Sequence, residues 1–302
     1  MTKQILNTPF FMGPEETDKA CLLVHGFSGT TVEMRGLGKA LATQGIRVHG
    51  IALPGHTGDP EDLARSNRRQ WIASTEEGLA QLSVYPHVFV VGLSMGGILS
   101  LLLTARHPER VVGVVTLSTA TRFPRGWQAR YARYFLKWYY SLASRDFSDP
   151  RVQEDFLLGK RLHSPNITFD FSDPLVIAMI KQENRLPVSA IDELIRITEQ
   201  GRRCVSEIRA PLLIIHSKRD ETALPASADE IFRLATSASS KSLHWLEQSG
   251  HVITIGAERE EVNRLVTSFV EARIQNAAKK SFIHPPRRNA AQAQGRFLCP
   301  AT

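Results

Sequence analysis

The stretch Val88-Phe89-Val90-Val91-Gly92-Leu93-Ser94-Met95-Gly96-Gly97 decides the fold of this chain of 302 residues. Its first four residues form an apolar run typical of a buried strand, and an apolar helical pattern follows over residues 95–105. Ser94 therefore lies on a sharp turn between a strand and a helix. Gly92 and Gly96, two positions on either side, let the backbone pack closely and direct the serine hydroxyl outward. The pattern predicts a serine nucleophile.

Residues 87–105 also form a run of nineteen residues without a charge, which is long enough to span a bilayer. Three glycines interrupt the middle of this run, and β-branched residues are concentrated in its first part. We therefore interpret it as a buried strand, a tight turn and a buried helix, and we expect no integral membrane segment.

Similar apolar runs alternate with helical patterns along much of the chain. Predicted strands lie at residues 20–24, 48–53, 88–91, 111–117, 212–215 and 243–246. Predicted helices lie at residues 32–43, 69–82, 95–105, 226–234 and 258–273. This alternation predicts an α/β fold with a mostly parallel central sheet flanked by helices.

The alternation divides the chain into three parts. Residues 1–121 and 187–275 form the α/β core. Residues 122–186, the insertion, are rich in aromatic residues and prolines, contain short helical pieces and are predicted to form a helical cap. Residues 276–302 lack periodicity and are predicted to be a basic, disordered tail.

Composition and charge exclude several classes of protein. With 42% hydrophobic and 22% charged residues the chain is typical of a globular protein. Residues 273–302 hold six basic residues and no acidic ones, so the rest of the chain, with 31 basic and 30 acidic residues, has almost no net charge. We expect no nucleic-acid partner. The three scattered cysteines and the absence of a signal-peptide pattern favour a reducing, cytoplasmic location.

A serine nucleophile needs a base and a carboxylate that orients the base. Two positions beyond the ends of predicted strands meet this need in the order acid and then base, Asp220 and His251. Glu221 is a competing acid, and Asp229 is a weaker candidate because it falls inside the next helix. No metal-binding spacing of histidines or cysteines is present, so we expect neither a metal nor a cofactor.

Five motifs together resemble a known family. They are His25-Gly26-Phe27-Ser28-Gly29, Pro54-Gly55-His56, Gly92-Leu93-Ser94-Met95-Gly96-Gly97, Asp220, and the segment Trp-Leu-Glu-Gln-Ser-Gly-His-Val-Ile-Thr at residues 245–254. Over residues 8–272 the chain resembles the bacterial carboxylesterase and monoacylglycerol lipase group of the α/β-hydrolase superfamily. The resemblance implies a serine esterase that hydrolyses short- to medium-chain esters or monoacylglycerols through an acyl-enzyme.

In this fold, two backbone N–H groups bind the oxyanion that forms when the serine attacks. One comes from the residue after the nucleophile, which is Met95, and the other from the loop after an early strand, where Phe27 follows His25-Gly26. We therefore assign the N–H groups of Phe27 and Met95 to the oxyanion hole. His25 precedes the serine in the chain, which is the wrong position for the general base of this fold. It is therefore expected to hold this loop in place by hydrogen bonds.

The insertion contains an aromatic stripe with helical spacing, which we predict to pack over the acyl pocket and to bind substrate. The residues assigned to substrate binding are Trp127, Tyr131, Phe135 and Trp138. Arg130, Arg133 and Lys137 fall on a neighbouring stripe. The alternative is that the aromatic face makes weak contact with a lipid surface, where aromatic and basic residues are common.

Two other hypotheses about function, one of the same chemical class and one of a different class, remain open at this point. The same three residues serve acyl transfer to an alcohol or amine and hydrolysis of C–C bonds. A ligand receptor built on a hydrolase scaffold is a function of a different class, because fold does not determine function. The oligomeric state is not indicated by the sequence.

Overall fold

The computed structural model describes residues 7–123 and 126–283, apart from the side chains of residues 127, 129 and 275–283. The strands are β1 (Phe10–Met12), β2 (Lys19–Val24), β3 (Arg47–Ile51), β4 (His87–Leu93), β5 (Val111–Leu117), β6 (Trp138–Tyr140), β7 (Arg185–Pro187), β8 (Leu212–Ser217) and β9 (Lys241–Leu246). The helices are α1 (Val32–Thr43), α2 (Pro60–Arg65), α3 (Arg68–Ala80), α4 (Met95–Arg106), α5 (Gly126–Ala132), α6 (Pro150–Arg161), α7 (Pro174–Glu183), α8 (Val188–Cys204), α9 (Ala226–Leu234) and α10 (Arg259–Ile283).

One sheet organises the fold. Within the described residues, seven strands form it in the order β1-β3-β2-β4-β5-β8-β9. Every neighbouring pair is parallel except β1 and β3, which are antiparallel. The predicted fold class, α/β with a mostly parallel sheet flanked by helices, is confirmed.

Helices cover both faces of the sheet, which explains why the strand sequences are continuously apolar. Along β4, Val88 and Val90 pack into one apolar layer with helices α3, α4 and α8, while Phe89 and Val91 pack into the opposite layer with α1 and α10. Because alternate residues of a strand point to opposite faces, neither set could be polar without exposing a buried face of the sheet.

The long uncharged stretch of residues 87–105 divides between β4 and α4, as predicted. In the part of the chain that the structure describes, no helix is long and apolar enough to cross a membrane. Sequence reasoning did not predict β1, α2 or α8. Helix α8 begins at Val188, directly after the insertion, and carries Asp192 and Ile195 inward, so its buried face mixes polar and apolar residues.

The insertion is not purely helical. Its helix α5 ends at Ala132, and Trp138 lies instead in β6, which pairs antiparallel with β7. The predicted helical stripe therefore does not continue from Trp127 to Trp138. The aromatic residues of β6, Trp-Tyr-Tyr, favour a strand, and a partner strand about fifty residues later in the chain completes the pair.

Helix α10 is longer than predicted. It continues through Ile283, so the first residues of the segment 276–302 are helical rather than disordered. Residues 284–302 lie outside the described residues, and disorder there stays a prediction.

A buried carboxylate connects the start of the insertion to the core. Glu230 on α9 accepts hydrogen bonds from Thr121 Oγ1 (2.6 Å), Arg122 Nη2 (2.7 Å) and Arg202 Nη2 (2.6 Å). The hydrogen bonds from Arg122, Arg202 and Thr121 hold the pKa of Glu230 far below its ordinary value, although burial opposes this effect. This ion-pair network therefore fixes the segment after β5, where the insertion begins, to both α9 and α8.

We expect Glu230→Gln to lower the free energy of unfolding at pH 7 by about 2 to 3 kcal/mol, because hydrogen bonds between charged groups are lost. The folded-state pKa of Glu230 is lowered, so its stabilisation is present above the unfolded pKa of about 4.3 and is lost as the pH falls toward the folded value. Urea unfolding at pH 7 and pH 3 checks this, and the difference between variant and wild type should shrink at pH 3.

Glu261→Gln is the matched control, because Glu261 pairs with Arg264 on the surface of α10. Removal of an exposed pair should change stability by less than about 1 kcal/mol. Equal losses for the two variants at pH 7 would contradict the role given to Glu230.

Candidate active site

The turn at Ser94 is the structural centre of the site. Ser94 lies between β4 and α4 with a φ of 54° and a ψ of −117°, a region that non-glycine residues rarely occupy. A Cβ atom at Gly92 would overlap the backbone of Gly96, and one at Gly96 would overlap the carbonyl oxygen of Val24. Both glycines are therefore needed for the turn that presents the Ser94 hydroxyl.

The structure brings together the three side chains predicted from the sequence. The Ser94 Oγ lies 3.0 Å from Nε2 of His251, and Nδ1 of His251 lies 2.8 Å from Oδ2 of Asp220. Ser94, Asp220 and His251 follow β4, β8 and β9, so they meet at the carboxyl edge of the sheet. In the arrangement Ser O–H to Nε2 and Nδ1–H to carboxylate, the imidazole can take the serine proton.

Asp220 is held as a carboxylate by its surroundings. Its Oδ1 accepts the backbone N–H groups of Thr222 (2.9 Å) and Ala223 (2.8 Å), and its side chain is buried. Burial alone would raise the pKa of Asp220, but the hydrogen bond and the charge of His251, with the N–H of Ala223, bring the pKa below its ordinary value. The carboxylate therefore remains charged and orients His251.

The competing acids lie elsewhere. Glu221 is exposed and pairs with Arg145 of the insertion. Asp229 is an exposed residue of α9. Hydrogen-bond geometry thus selects Asp220 from the three acids.

The loop after β2 lies against Ser94. A Cβ atom at Gly26 would be 3.3 Å from Cβ of Ser94, so Phe27 follows a residue in direct contact with the serine. His25 is fully buried and holds the loop, because its Nε2 accepts the N–H of Leu53 (3.0 Å) and its Nδ1 donates to the carbonyl of Gly26 (2.9 Å). Burial, with the neighbouring His56, lowers the pKa of His25 to about 3, so it stays neutral.

Met95, the second predicted oxyanion donor, is the first residue of α4. The N–H groups in the first turn of a helix have no partner within the helix, and the helix dipole favours negative charge there. The backbone positions of Phe27 and Met95 thus flank Ser94, and their role in the oxyanion hole stays a prediction.

The insertion reaches the site through α6 rather than through the predicted aromatic stripe. A Cβ atom at Gly250 would be 2.8 Å from the carboxylate oxygens of Asp155 on α6. Asp155 lies in the middle of α6, and two residues beyond the C-terminal end of the helix, Nε2 of His163 lies 3.5 Å from the hydroxyl of Thr30. The segment from Asp155 to His163 therefore lies between the loop that carries His251 and the loop that follows β2. Asp149 followed by Pro150 is a sequence pattern typical of the start of a helix, but it does not indicate that this helix lies beside the active site.

The predicted substrate-binding side chains are mostly exposed. Tyr131 and Phe135 expose 63% and 85% of their surfaces, so the interpretation that they pack over a pocket does not hold for them. Trp138 is half-buried beside Lys137 and Arg185, whose charged groups lie 4.9 and 4.4 Å from its ring centre. The side chain of the fourth, Trp127, lies outside the described residues.

The basic stripe of the insertion binds carboxylates of the core. Arg133 donates to buried Asp192, Arg130 lies 3.9 Å from the same carboxylate, and Lys137 pairs with Glu61 at 2.7 Å. Among the described residues no cluster of His, Cys, Asp and Glu side chains could hold a metal ion.

The parallel sheet, the strained serine turn and the hydrogen-bonded Ser94, His251 and Asp220 define an α/β-hydrolase. Within that class, residues 15–258 match the family described as Serine aminopeptidase, S33 (Hydrolase_4), and the chain belongs to this family.

Named relatives and a solved structure agree with this assignment. The thermostable monoacylglycerol lipase of Bacillus sp. (strain H-257) is 31% identical over 82% of this chain and 87% of its own length. The carboxylesterase of Bacillus subtilis (strain 168) is 27% identical over 84% of this chain and 93% of its own length. A solved structure from work on the metagenome-derived lipolytic enzymes LipS and LipT has a TM-score of 0.72 at 23% identity, covering 89% of this chain and all of that chain, and this shows the shared fold.

Asp220→Asn and Glu221→Gln should separate the two adjacent acids. We expect Asp220→Asn to slow the labelling of Ser94 by a fluorophosphonate on the order of a thousandfold, because the asparagine neither fixes the imidazole tautomer nor stabilises the imidazolium. Glu221→Gln removes only the surface pair with Arg145 and should stay within about tenfold. Labelling rates measured by intact mass spectrometry check the pair, and a larger effect at Glu221 would show that the wrong acid was chosen.

Proposed function

We propose that the protein is a serine carboxylesterase that hydrolyses short- to medium-chain carboxylic esters or monoacylglycerols. The observation that carries this proposal is the hydrogen-bonded series from the Ser94 hydroxyl through His251 to Asp220, with distances of 3.0 and 2.8 Å. The names of the relatives, a monoacylglycerol lipase and a carboxylesterase, support the substrate class.

Acylation begins when the Ser94 Oγ attacks the ester carbonyl carbon while Nε2 of His251 takes its proton. The carbonyl electrons move to the oxygen, and the N–H groups of Phe27 and Met95 hold this oxyanion. When the tetrahedral intermediate collapses, the bond to the alkoxy oxygen breaks and His251 gives its proton to the departing alcohol. The acyl group remains on Ser94.

Deacylation repeats these steps with water. His251 takes a proton from a water molecule, the resulting hydroxide attacks the acyl carbon, and the second tetrahedral intermediate collapses to a carboxylic acid and free Ser94. Asp220 stabilises the imidazolium formed in both halves of the cycle without accepting a proton. In this proposal the residues of this chain move the protons and stabilise the charges, and water is the second reactant.

Ser94→Ala and His251→Ala should each lower kcat for p-nitrophenyl butyrate by several orders of magnitude, and the double variant should be little worse because the residues act as a unit. A fluorophosphonate should label Ser94 in the wild type. Labelling that persists in Ser94→Ala would refute the assignment, and circular dichroism is the control for folding.

Product analysis with added glycerol distinguishes the alternative reactions. An esterase releases free acid as its main product, whereas an acyltransferase releases mainly new ester. A receptor on the hydrolase scaffold would show neither turnover nor labelling. The Ser94 to His251 hydrogen bond supports catalysis rather than binding alone.

We further propose that the insertion makes weak contact with lipid surfaces that contain the substrate. Large exposed apolar side chains are concentrated in the insertion. They lie on α5, β6 and α7 and in the segment between α5 and β6. They are Tyr131, Tyr134, Phe135, Leu136, Tyr139, Tyr140, Leu175 and Met179. Exposed aromatic and aliphatic residues are typical of surfaces that lie at a membrane interface.

The double variant Phe135→Ser, Leu136→Ser should reduce co-sedimentation with phosphatidylglycerol vesicles at least threefold, because these two side chains, which are 85% and 58% exposed, would no longer supply apolar surface to the interface. Val84→Ser is the matched control, since Val84 is 79% exposed on the core. Equal sedimentation of the two variants would contradict the proposal. Light scattering without lipid shows whether the same patch instead forms a dimer.

A cytoplasmic location is also proposed. Cys21, which is buried, and Cys204, which is half-buried, are free thiols in the structure. Unpaired cysteines persist in reducing compartments, which supports this location.

A further inference from the structure

The loop that carries His251 has no regular secondary structure between β9 and α10. The backbone N–H groups of three successive residues in this loop, 247–249, all donate to the carboxylate of Glu258. Glu247 N–H donates to Oε1 at 3.0 Å, while Gln248 N–H and Ser249 N–H donate to Oε2 at 3.0 and 2.8 Å. Successive N–H groups arranged in this way form a binding site for an anion, which here is a side chain of the protein itself.

Further hydrogen bonds fix the same loop from both sides. The Ser249 hydroxyl donates to Oε2 of Glu258 at 2.8 Å and accepts the N–H of Glu258 at 3.1 Å. The Ser217 hydroxyl, at the end of β8, donates to the carbonyl of Ser249. The segment two residues before His251 is therefore bound at its N–H groups, its carbonyl group and its side chain.

The carboxylate is charged in this setting. Burial favours the neutral acid, but the N–H groups of Glu247 and Gln248 and the hydroxyl of Ser249 outweigh it, so the pKa of Glu258 lies below its ordinary value. Hydrogen bonds to a charged acceptor are about twice as strong as neutral ones. The hydrogen bonds to Glu258 therefore hold the loop strongly. Glu258 itself is not one of the three residues Ser94, His251 and Asp220.

We propose that Glu258 is a positioning residue for His251, holding the imidazole between Ser94 and Asp220 through the backbone of residues 247–249. The proposal rests on the proposed function of His251 as the general base. Glu258 touches neither the serine nor the reacting atoms. Its effect is exerted through the distance from Nε2 to the serine oxygen, where a displacement of about 1 Å is enough to lower a rate a hundredfold.

Glu258→Gln tests the proposal, because the glutamine amide keeps the shape of the side chain but places an NH₂ group against N–H donors. We expect kcat for p-nitrophenyl butyrate to fall about 10- to 100-fold, with KM changed less than about threefold. Glu258→Asp, which keeps the charge, should recover part of the loss. Glu261→Gln, in the first turn of the adjacent helix α10, is the matched control and should retain wild-type kcat.

A proton NMR signal adds a readout that needs no substrate. The Nδ1–H of His251, which donates to Asp220, should give a downfield resonance in the wild type and in Glu261→Gln, and this signal should be weakened or shifted in Glu258→Gln. Wild-type kcat in Glu258→Gln overturns the proposal, and so does a loss of kcat that equals the unfolded fraction measured by circular dichroism. If the wild type hydrolysed no ester, the proposed function would fail while the resonance still tested the positioning.

Discussion

The close packing of backbone at the Ser94 turn is the constraint on which the site depends. The carbonyl of Val24 on β2 occupies the space that a side chain at residue 96 would need, and the Ser94 N–H donates to the carbonyl of Leu117 on β5 at 2.8 Å. The serine is therefore part of the hydrogen bonding of the central sheet. The nucleophile has a fixed position, and the other groups of the site must be brought to it.

Loops from three other strands do this, and each is held by hydrogen bonds of polar groups rather than by regular structure. His25 holds the loop after β2 and Glu258 holds the loop after β9, while the backbone N–H groups of Thr222 and Ala223 hold Asp220. His25 also accepts the N–H of Leu53, which belongs to another loop. Polar contacts of this kind specify geometry because a group that loses its partner away from water costs free energy.

The parallel sheet and the residues Ser94, Asp220 and His251 could be predicted because local patterns determine them. Continuous apolar runs identify strands that are covered on both faces, and the glycine spacing identifies the turn. The insertion could not be predicted in the same way. The pairing of β6 with β7 and the ion pair of Arg133 with Asp192 depend on residues far apart in the chain, and Glu258 carries no motif that distinguishes it from a surface acid.

Backbone strain is concentrated at one edge of the molecule. Among the described residues, the non-glycine residues with positive φ are Ser28, Ser94 and Ser118, which follow the ends of β2, β4 and β5. Each such residue costs on the order of 1 to 3 kcal/mol. Strain at the carboxyl edge of the sheet thus lowers the free energy of unfolding. Substitutions that raise heat resistance without loss of turnover belong at the opposite, amino edge and on the outer helices.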